Sequence, residues 1–187
     1  VDNNSTDSTL QVARYFAHDP TLQESNNYTS IKIFNIDNYT PGKALNYGVS
    51  KASKENILII SSHCVLTKID FEFIRNNLND HCCIFGNQNP FYNGKRVTKR
   101  YLWSHFIDEP VSNMYSEAES RYFVHNALCA YKRDILIKYP FSDKLQTKED
   151  RYWAISMIGN GFKTLYSPTL SCNHHYTEAG NTWKGIG

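Results

Sequence analysis

The feature that most constrains the fold is a short apolar run, Ile57–Ile60, that stops abruptly at Ser61, Ser62 and His63. Continuous apolar runs of this length are typical of strands buried on both faces of a parallel sheet. In open α/β sheets, ligands bind beyond the carboxyl ends of such strands. The run therefore predicts a strand over residues 56–61 with three polar side chains at the mouth of a site. A strand that simply ends in a polar loop fits the same residues.

The apolar residues on either side of this run alternate between helical and strand spacing. Helices are predicted over 10–17, 41–52, 70–78 and 148–158, and strands over 31–36, 82–86, 127–131, 163–166 and 169–172, the last two separated by Pro168. Such alternation is typical of βαβ units and a parallel sheet covered by helices. The sequence thus predicts one α/β domain with a mostly parallel central sheet. Residues 87–122 are less regular and are predicted to form a surface excursion.

Composition excludes several classes of protein. A chain of 187 residues is long enough for one domain with a real core. Its net charge of only +2 argues against a nucleic-acid partner. The five cysteines include no C-x-x-C pair, which favours the reduced thiols of a cytosolic protein over a disulfide framework or a zinc knuckle. No apolar run reaches the 18 residues that a membrane-spanning helix needs.

Four polar clusters lie at the ends of predicted elements and are candidates for chemistry. They are Asp2 with Asn3, Ser61 to His63, Glu149 with Asp150, and His174 with His175. Each also has a purely structural explanation. The two carboxylates, for example, fall in a first helical turn, where the helix dipole favours negative charge.

Taken in order, five segments resemble the motifs of glycosyltransferase family 2, the inverting enzymes of the GT-A fold. The segments are Asp2–Thr9 (V-D-[DN]-[GN]-S-x-D-x-T), Gly42–Gly48 (G-x-x-x-A-x-N-x-G), Ile57–His63 (an apolar strand followed by D-x-D), Phe141–Trp153 (F-D-x-x-L, then E-D-x-x-W) and Gly161–His174 (G-x-x-x-x-Y-x-P, then H). The resemblance covers nearly the whole chain. It departs from the family at D-x-D, which here reads Ser61-Ser62-His63, and at the family's first strand, which is missing.

The resemblance implies a GT-A-type, Rossmann-like, three-layer α/β/α domain. Residues 1–87 would bind the nucleotide-sugar, and residues 88–187 would supply the acceptor and catalytic part. Asp150 would be the general base that removes the proton of the acceptor hydroxyl. Glu149 would position the acceptor or cap the helix, and a sugar ring would stack on Trp153, although a core tryptophan is an alternative. The expected nucleotide-sugar contacts are Asp2, Asn3, Lys43, Asn46, Ser61, Ser62 and His63.

The resemblance also implies a divalent cation that neutralises the diphosphate leaving group. His63 would replace the last aspartate of D-x-D, with His174 or His175 as the late ligand. The expected ion is Mn²⁺ or Mg²⁺, and imidazole suits Mn²⁺ better. If the metal has been lost, His63 as an imidazolium would partly neutralise the diphosphate itself.

The function implied is transfer of a sugar from a UDP-, GDP- or dTDP-sugar to an acceptor hydroxyl with inversion. The expected setting is bacterial cell-surface polysaccharide synthesis, with a glycan or lipid-linked acceptor. The protein would be cytoplasmic, with possible peripheral association at the inner face of the membrane. Two other classes fit the same residues: a metal-dependent hydrolase using His63, Asp150, His174 and His175, and a non-catalytic carbohydrate-binding or scaffold domain.

Overall fold

The computed structural model describes residues 1–19, 31–96, 107–117 and 120–176. The helices are α1 (Thr9–His18), α2 (Pro41–Lys51), α3 (Phe71–Asn77), α4 (Arg133–Lys138) and α5 (Glu149–Gly159). The strands are β1 (Asn56–Ile60), β2 (Cys64–Lys68), β3 (Cys83–Tyr92), β4 (Lys95–Arg96), β5 (Val111–Ser112), β6 (Tyr115–Ser116), β7 (Arg121–Tyr122), β8 (Leu128–Lys132) and β9 (Thr164–Tyr176). None of the helices in these ranges is long and apolar enough to cross a membrane.

A central sheet in the order β1-β8-β3-β9-β2 organises the molecule, with β4 paired to β3 and β5 to β9. Alternate residues of its strands feed two separate apolar clusters. In β8, Cys129 and Tyr131 join one cluster with residues of α2, α4 and α5. Leu128 and Ala130 join the other cluster, which contains residues of α3. Helices therefore cover both faces of the sheet, and the predicted three-layer α/β/α class is confirmed.

The sheet is mixed rather than mostly parallel. In the described residues β3 and β9 pair in parallel. The pairings β1–β8, β3–β8, β2–β9, β3–β4 and β5–β9 are antiparallel. β1 lies at one end of the strand order, its three central residues are half-buried and Ile60 is 42% exposed, so the prediction of a strand buried on both faces of a parallel sheet is wrong. A continuous apolar run does not reveal the direction of the neighbouring strand.

The predicted strand over 31–36 is reduced to a single parallel bridge between Asp2 and Asn35. The backbone N–H of Asp2 donates to Phe34 (2.7 Å), and that of Ile36 donates to Asp2 (2.9 Å). These two hydrogen bonds hold the loop that carries Asp2 beside residues 34–36. They are too few to make a strand.

The two strands predicted on either side of Pro168 are one strand, β9. Its register against β3 jumps from Gly86–Ser167 to Asn87–Ser171, so a bulge takes up the intervening residues. Proline is tolerated at a bulge because no ladder hydrogen bond needs its missing N–H. β3 likewise continues past the predicted end at Gly86 to Tyr92, so the irregular excursion begins later than predicted.

The first turn of α2 packs very closely on the loop before α5. A Cβ added to Gly42 would lie 2.0 Å from the carbonyl oxygen of Ser142. The Thr40 hydroxyl donates to the carbonyl of Asp143 at 2.8 Å and accepts from the N–H of Lys43 at 3.2 Å, capping the helix. This contact holds α2 against the segment that leads to Glu149 and Asp150.

Candidate active site

The polar turn after β1 occupies the position that the sequence predicted. Ser61 and His63 follow β1 directly, and the N–H of Cys64 closes the turn on the Ser61 carbonyl at 2.9 Å. The chain then enters β2, which pairs with the end of β9. Ser62 and His63 are exposed. The turn therefore presents two side chains to solvent at the edge of the sheet.

Asn126, in the loop before β8, connects this turn with the start of α5. Its carbonyl accepts a hydrogen bond from the Ser61 hydroxyl at 3.1 Å. Its side-chain amide donates to Glu149 Oε1 at 3.1 Å, and its own N–H donates to Asp150 Oδ2 at 3.1 Å. One residue thus brings together two of the clusters that the sequence singled out.

Asp150 has the properties of a general base. Burial and then the neighbouring Glu149 carboxylate raise the pKa of Asp150 to about 6, against the lowering effect of the hydrogen bonds from Asn126 and Arg151 and of the Arg121 charge. The N–H of Arg151 donates to Asp150 Oδ1 at 2.7 Å. A base works best when its pKa is near the working pH. This carboxylate is therefore deprotonated at neutral pH and is still basic enough to accept a proton.

A second group forms where β2 meets β9. The His63 and His174 rings stack with centroids 4.6 Å apart. The nitrogen and sulfur ligand atoms of His63, His174 and Cys64 all lie within 4.8 Å of one another. Cys64 and His174 are directly paired across the two strands. The structure therefore assembles two of the predicted metal ligands and adds a thiol beside them.

His174 has a nitrogen available for a cation. Its side chain is only 5% exposed. Its Nδ1 is hydrogen-bonded to the side-chain oxygen of Gln88, which also accepts from the Tyr176 hydroxyl at 3.2 Å. Because Gln88 offers an acceptor, Nδ1 carries the proton and the lone pair lies on Nε2, which is buried with no hydrogen-bond partner. An oriented imidazole with an unused buried lone pair is what a metal ligand requires, so these residues fit a divalent cation.

The pKa values of both histidines in this group are lowered. Burial, then His63, His125 and His175, lower the pKa of His174 to about 3. Partial desolvation of the His63 ring, followed by His175, also lowers the pKa of His63. Both shifts favour neutral imidazole, which is the form that binds metals.

His175 lies outside this group. Neighbouring residues of a strand point to opposite faces. Whereas His174 is buried, His175 is exposed and stacks on Phe91 with centroids 5.2 Å apart. Of the two late histidines predicted as ligands, the structure therefore brings His174 to His63.

Trp153 is a core residue rather than a platform for a sugar. It is 5% exposed. Its ring packs against Tyr131 and Phe141 at centroid distances of 5.2 and 5.6 Å, and its indole N–H donates to the Tyr139 carbonyl at 2.7 Å. The acceptor role expected for Trp153 is corrected accordingly, since the ring offers no open face. The helical spacing from Asp150 carried no information about which face of α5 is buried.

Of the predicted nucleotide contacts, Asp2 and Asn3 lie in a loop near the start of the chain. The Asp2 carboxylate accepts from the Ser5 N–H (3.0 Å) and from the Ser5 hydroxyl, and these bonds lower its pKa. Asn3 beside it is exposed. An ionised carboxylate in a formed loop is suited to bind a base or ribose, so Asp2 and Asn3 stay candidates.

Lys43 and Asn46 have structural partners instead. The Lys43 ammonium donates to the Asn38 carbonyl at 3.2 Å. The Asn46 side chain holds the backbone of Phe141 from both sides, accepting from its N–H at 3.0 Å and donating to its carbonyl at 2.8 Å. In the described structure the Asn46 amide fastens α2 to the loop before α5, so a nucleotide would have to displace those bonds.

Sequence reasoning missed Asn126, Gln88 and Cys64 at the site. Asn126 falls in a loop, and its importance comes from hydrogen bonds to residues 23 or more positions away. Gln88 lies 86 positions before His174. Cys64 follows His63 directly, and this adjacency was the one signal in the sequence that would have identified it.

The α/β/α sheet carries a polar turn after β1 and a carboxylate pair at the start of α5, and ligands of open α/β sheets bind beyond strand ends of this kind. The arrangement is that of the GT-A fold. The sequence profile of "Glycosyl transferase family 2" matches residues 1–140. The chain belongs to glycosyl transferase family 2. No curated protein matches the sequence at a significant level.

Solved structures of similar fold include S. aureus TarS, GalNAc-T7 and A197 from STIV. S. aureus TarS 1-349 in complex with UDP-GlcNAc aligns over 96% of this chain and 49% of its own, with a TM-score of 0.67 and 18% identity. GalNAc-T7 with UDP, GalNAc and Mn²⁺ aligns over 96% of this chain and 37% of its own, with a TM-score of 0.65 and 15% identity. A197 from STIV has a TM-score of 0.52 and 16% identity over 79% of this chain and 74% of its own. At these identities the likeness establishes the fold, and the chain spans about half the length of TarS 1-349.

Proposed function

We propose that this chain is the catalytic domain of an inverting glycosyltransferase that moves a sugar from a nucleotide-diphospho-sugar to an acceptor hydroxyl. Residues 1–87 hold the donor in this proposal, and residues 88–187 supply the acceptor side and the base. Family membership supports the general reaction. The observation that carries the mechanism is the raised pKa of Asp150, about 6, at a carboxylate that Asn126 ties to the turn at Ser61.

In this mechanism Asp150 takes the proton of the acceptor hydroxyl. As it does so, the acceptor oxygen attacks the anomeric carbon from the face opposite the leaving group. A new C–O bond forms, the bond from carbon to the diphosphate oxygen breaks, and the nucleoside diphosphate leaves with that electron pair. A single displacement of this kind inverts the anomeric centre and needs one base. Glu149, 8% exposed and bonded to Asn126, holds its place in the first turn beside Asp150.

In this proposal the diphosphate of the donor binds at the turn Ser61–His63. A divalent cation bound there by His63 and His174, as Mn²⁺ or Mg²⁺, would supply Lewis-acid stabilisation of the leaving group. Support comes from the stacked pair of imidazoles and the unused lone pair on His174 Nε2. Asp2 and Asn3 are proposed to contact the nucleoside. The bound UDP in the TarS and GalNAc-T7 structures makes UDP the first donor nucleotide to test.

For the acceptor, the proposal retains a glycan or lipid-linked hydroxyl in bacterial cell-surface polysaccharide synthesis, on the cytoplasmic side of the membrane. The resemblance to the family motifs is its support.

Calorimetric titration of UDP and GDP, each with and without Mn²⁺, tests the donor side directly. The proposal expects one nucleotide to bind, with tighter binding in the presence of Mn²⁺. A nucleotide affinity that does not change when Mn²⁺ is added would exclude the cation from the mechanism. If neither nucleotide binds, dTDP is titrated next. If dTDP does not bind either, the scaffold alternative replaces the transferase proposal. If the protein releases free sugar without an acceptor, the hydrolase alternative replaces it.

A further inference from the structure

We infer that Asn126 is a positioning residue that holds Glu149 and Asp150 in the arrangement required for proton transfer. The inference rests on the proposed function, because it takes Asp150 as the base. It goes further by assigning a role to a residue outside every motif of the family resemblance. Asn126 lies in the loop just before β8 and is 7% exposed.

The orientation of the Asn126 side-chain amide is fixed from two sides. The Tyr131 hydroxyl donates to its Oδ1 at 2.8 Å. Its Nδ2 then points to Glu149 Oε1 at 3.1 Å. A flipped amide would turn its oxygen toward the Glu149 carboxylate, which can only accept hydrogen bonds. The carboxylate therefore selects the amide orientation, and the Tyr131 hydroxyl, which can donate, adds a second bond to it.

The backbone of the same residue contacts the other two parts of the site. Its N–H donates to Asp150 Oδ2, and its carbonyl accepts from the Ser61 hydroxyl. A displacement of Asn126 therefore moves the base and the donor turn together. Hydrogen bonds to charged groups are about twice as strong as neutral ones, so the two carboxylates dominate this network.

Several charged or titratable groups face the carboxylate pair from the surrounding elements. Glu149 lies beside Asp150 on α5, Arg121 acts from β7, and Tyr131 acts from β8. Tyr39 faces Glu149 from the segment before α2. Of these groups, the Asn126 side chain contacts Glu149 and Tyr131, and Glu149 is the carboxylate among them. Loss of the amide would leave the buried Glu149 carboxylate without that donor and would no longer hold it beside Asp150.

The Asn126→Ala variant tests the inference. Without its side-chain anchors, the loop no longer holds the Asn126 N–H against Asp150 Oδ2. Because that hydrogen bond lowers the pKa of Asp150, the acidic limb of the kcat/KM–pH profile moves to higher pH. The lost hydrogen bond to a charged group predicts a fall in kcat of about ten- to a hundredfold. Tyr131→Phe, which removes only the hydroxyl, predicts a smaller shift of the same sign and guards against a failure of Asn126→Ala to fold.

The matched control is Asn77→Ala. The Asn77 amide bonds to the Phe73 carbonyl within α3, at 2.9 Å. The control is expected to leave the acidic limb in place. The positioning role is wrong if Asn126→Ala and Tyr131→Phe lower activity while the acidic limb of the kcat/KM–pH profile stays in place. It is also wrong if neither the activity nor the acidic limb changes. In either case Asn126 serves only the fold. Asp150→Asn is measured alongside. If Asp150→Asn retains full transfer, the proposed mechanism itself has failed, and this outcome is distinct from the failure of Asn126.

Discussion

The backbone N–H of Asn126 lies 3.1 Å from Asp150 Oδ2, and this bond joins the loop before β8 to the first turn of α5. The carbonyl of the same residue holds the Ser61 hydroxyl at the end of β1. The backbone of one residue thus bridges the proposed base and the proposed donor turn. This arrangement relates the acidity of Asp150 to the geometry of the donor site.

The pH dependence of transfer should have an acidic limb near pH 6. Burial and the Glu149 charge raise the pKa of Asp150 to about 6. Below that pH the carboxylate is protonated and cannot accept the acceptor proton, so kcat/KM falls about tenfold for each further pH unit. The measurement is kcat/KM between pH 4.5 and 8. A flat profile down to pH 4.5 would show that the group responsible is not this carboxylate.

Removal of the Asp150 charge should stabilise the fold above pH 6. A carboxyl whose pKa is raised on folding contributes stability below its unfolded pKa, and that stability is lost as the pH rises through about 6. Asp150→Asn can accept only one of the two N–H bonds that Asp150 accepts, and this loss acts at every pH. The melting temperature of the variant relative to the unmodified protein should therefore be about 2–4 °C higher at pH 7.5 than at pH 4, corresponding to about 1 kcal/mol. A relative melting temperature that does not change between the two pH values contradicts the raised pKa.

Cation binding should depend on His174 and not on its neighbour. His174 Nε2 is buried and unpartnered in the group with His63 and Cys64, whereas His175 points to the other face of β9. Calorimetric titration of Mn²⁺ in the presence of UDP should show at least a tenfold loss of affinity for His174→Ala, in line with the loss of a metal ligand. His175→Ala is the control and should bind Mn²⁺ as the unmodified protein does. Equal losses in both variants would restore His175 as a ligand.

Trp153 should matter for stability rather than for the acceptor. Truncation of a buried tryptophan costs about 3–5 kcal/mol, so Trp153→Ala should lower the free energy of unfolding in urea by that amount. Tyr152→Ala next to it removes a side chain that is 54% exposed and should change stability by less than about 0.5 kcal/mol. Trp153→Phe should fold and keep the KM for the acceptor. A rise in that KM without loss of stability would return Trp153 to the acceptor site.

Gly42 should tolerate no side chain. A Cβ there would lie 2.0 Å from the Ser142 carbonyl oxygen, so Gly42→Ala must push α2 away from the loop that precedes α5. We expect a loss of about 1–3 kcal/mol in the free energy of unfolding, as overpacking produces. Gly159→Ala is the matched control, because its Cβ would meet nothing within 4 Å. Similar stabilities of the two variants in urea would mean that the close approach at Gly42 does not exist.

The fold class could be predicted because it depends on local patterns. The apolar run of β1 and the helical spacing of α2 and α5 stand in the sequence itself, and all three elements formed where expected. The strand directions could not be predicted, since β1 and β8 pair antiparallel through backbone bonds that leave no mark on side-chain type. The bulge that lets Pro168 stay inside β9 is also a property of two strands together.

Residue type and order in the sequence single out His63, His174 and Asp150 as candidates, and their roles stay predictions. The structure brings His63 and His174 together, whereas the contacts around them come from the tertiary fold. The choice between His174 and His175 depended on the register of β9, and Asn126 acts only because the loop before β8 folds onto α5. The acceptor role was wrongly predicted for Trp153 because Trp153 lies with Ala154 and Met157 on the side of α5 that packs against the core.

The most direct test of the account is sugar transfer by Asp150→Asn compared with the unmodified chain, with nucleotide affinity measured on the same samples. We expect the variant to bind the donor nucleotide with unchanged affinity and to lose transfer by at least about a hundredfold, because general base catalysis contributes about 10²–10⁴-fold. Transfer at the unmodified rate with intact nucleotide binding would contradict the assignment of Asp150 as the base.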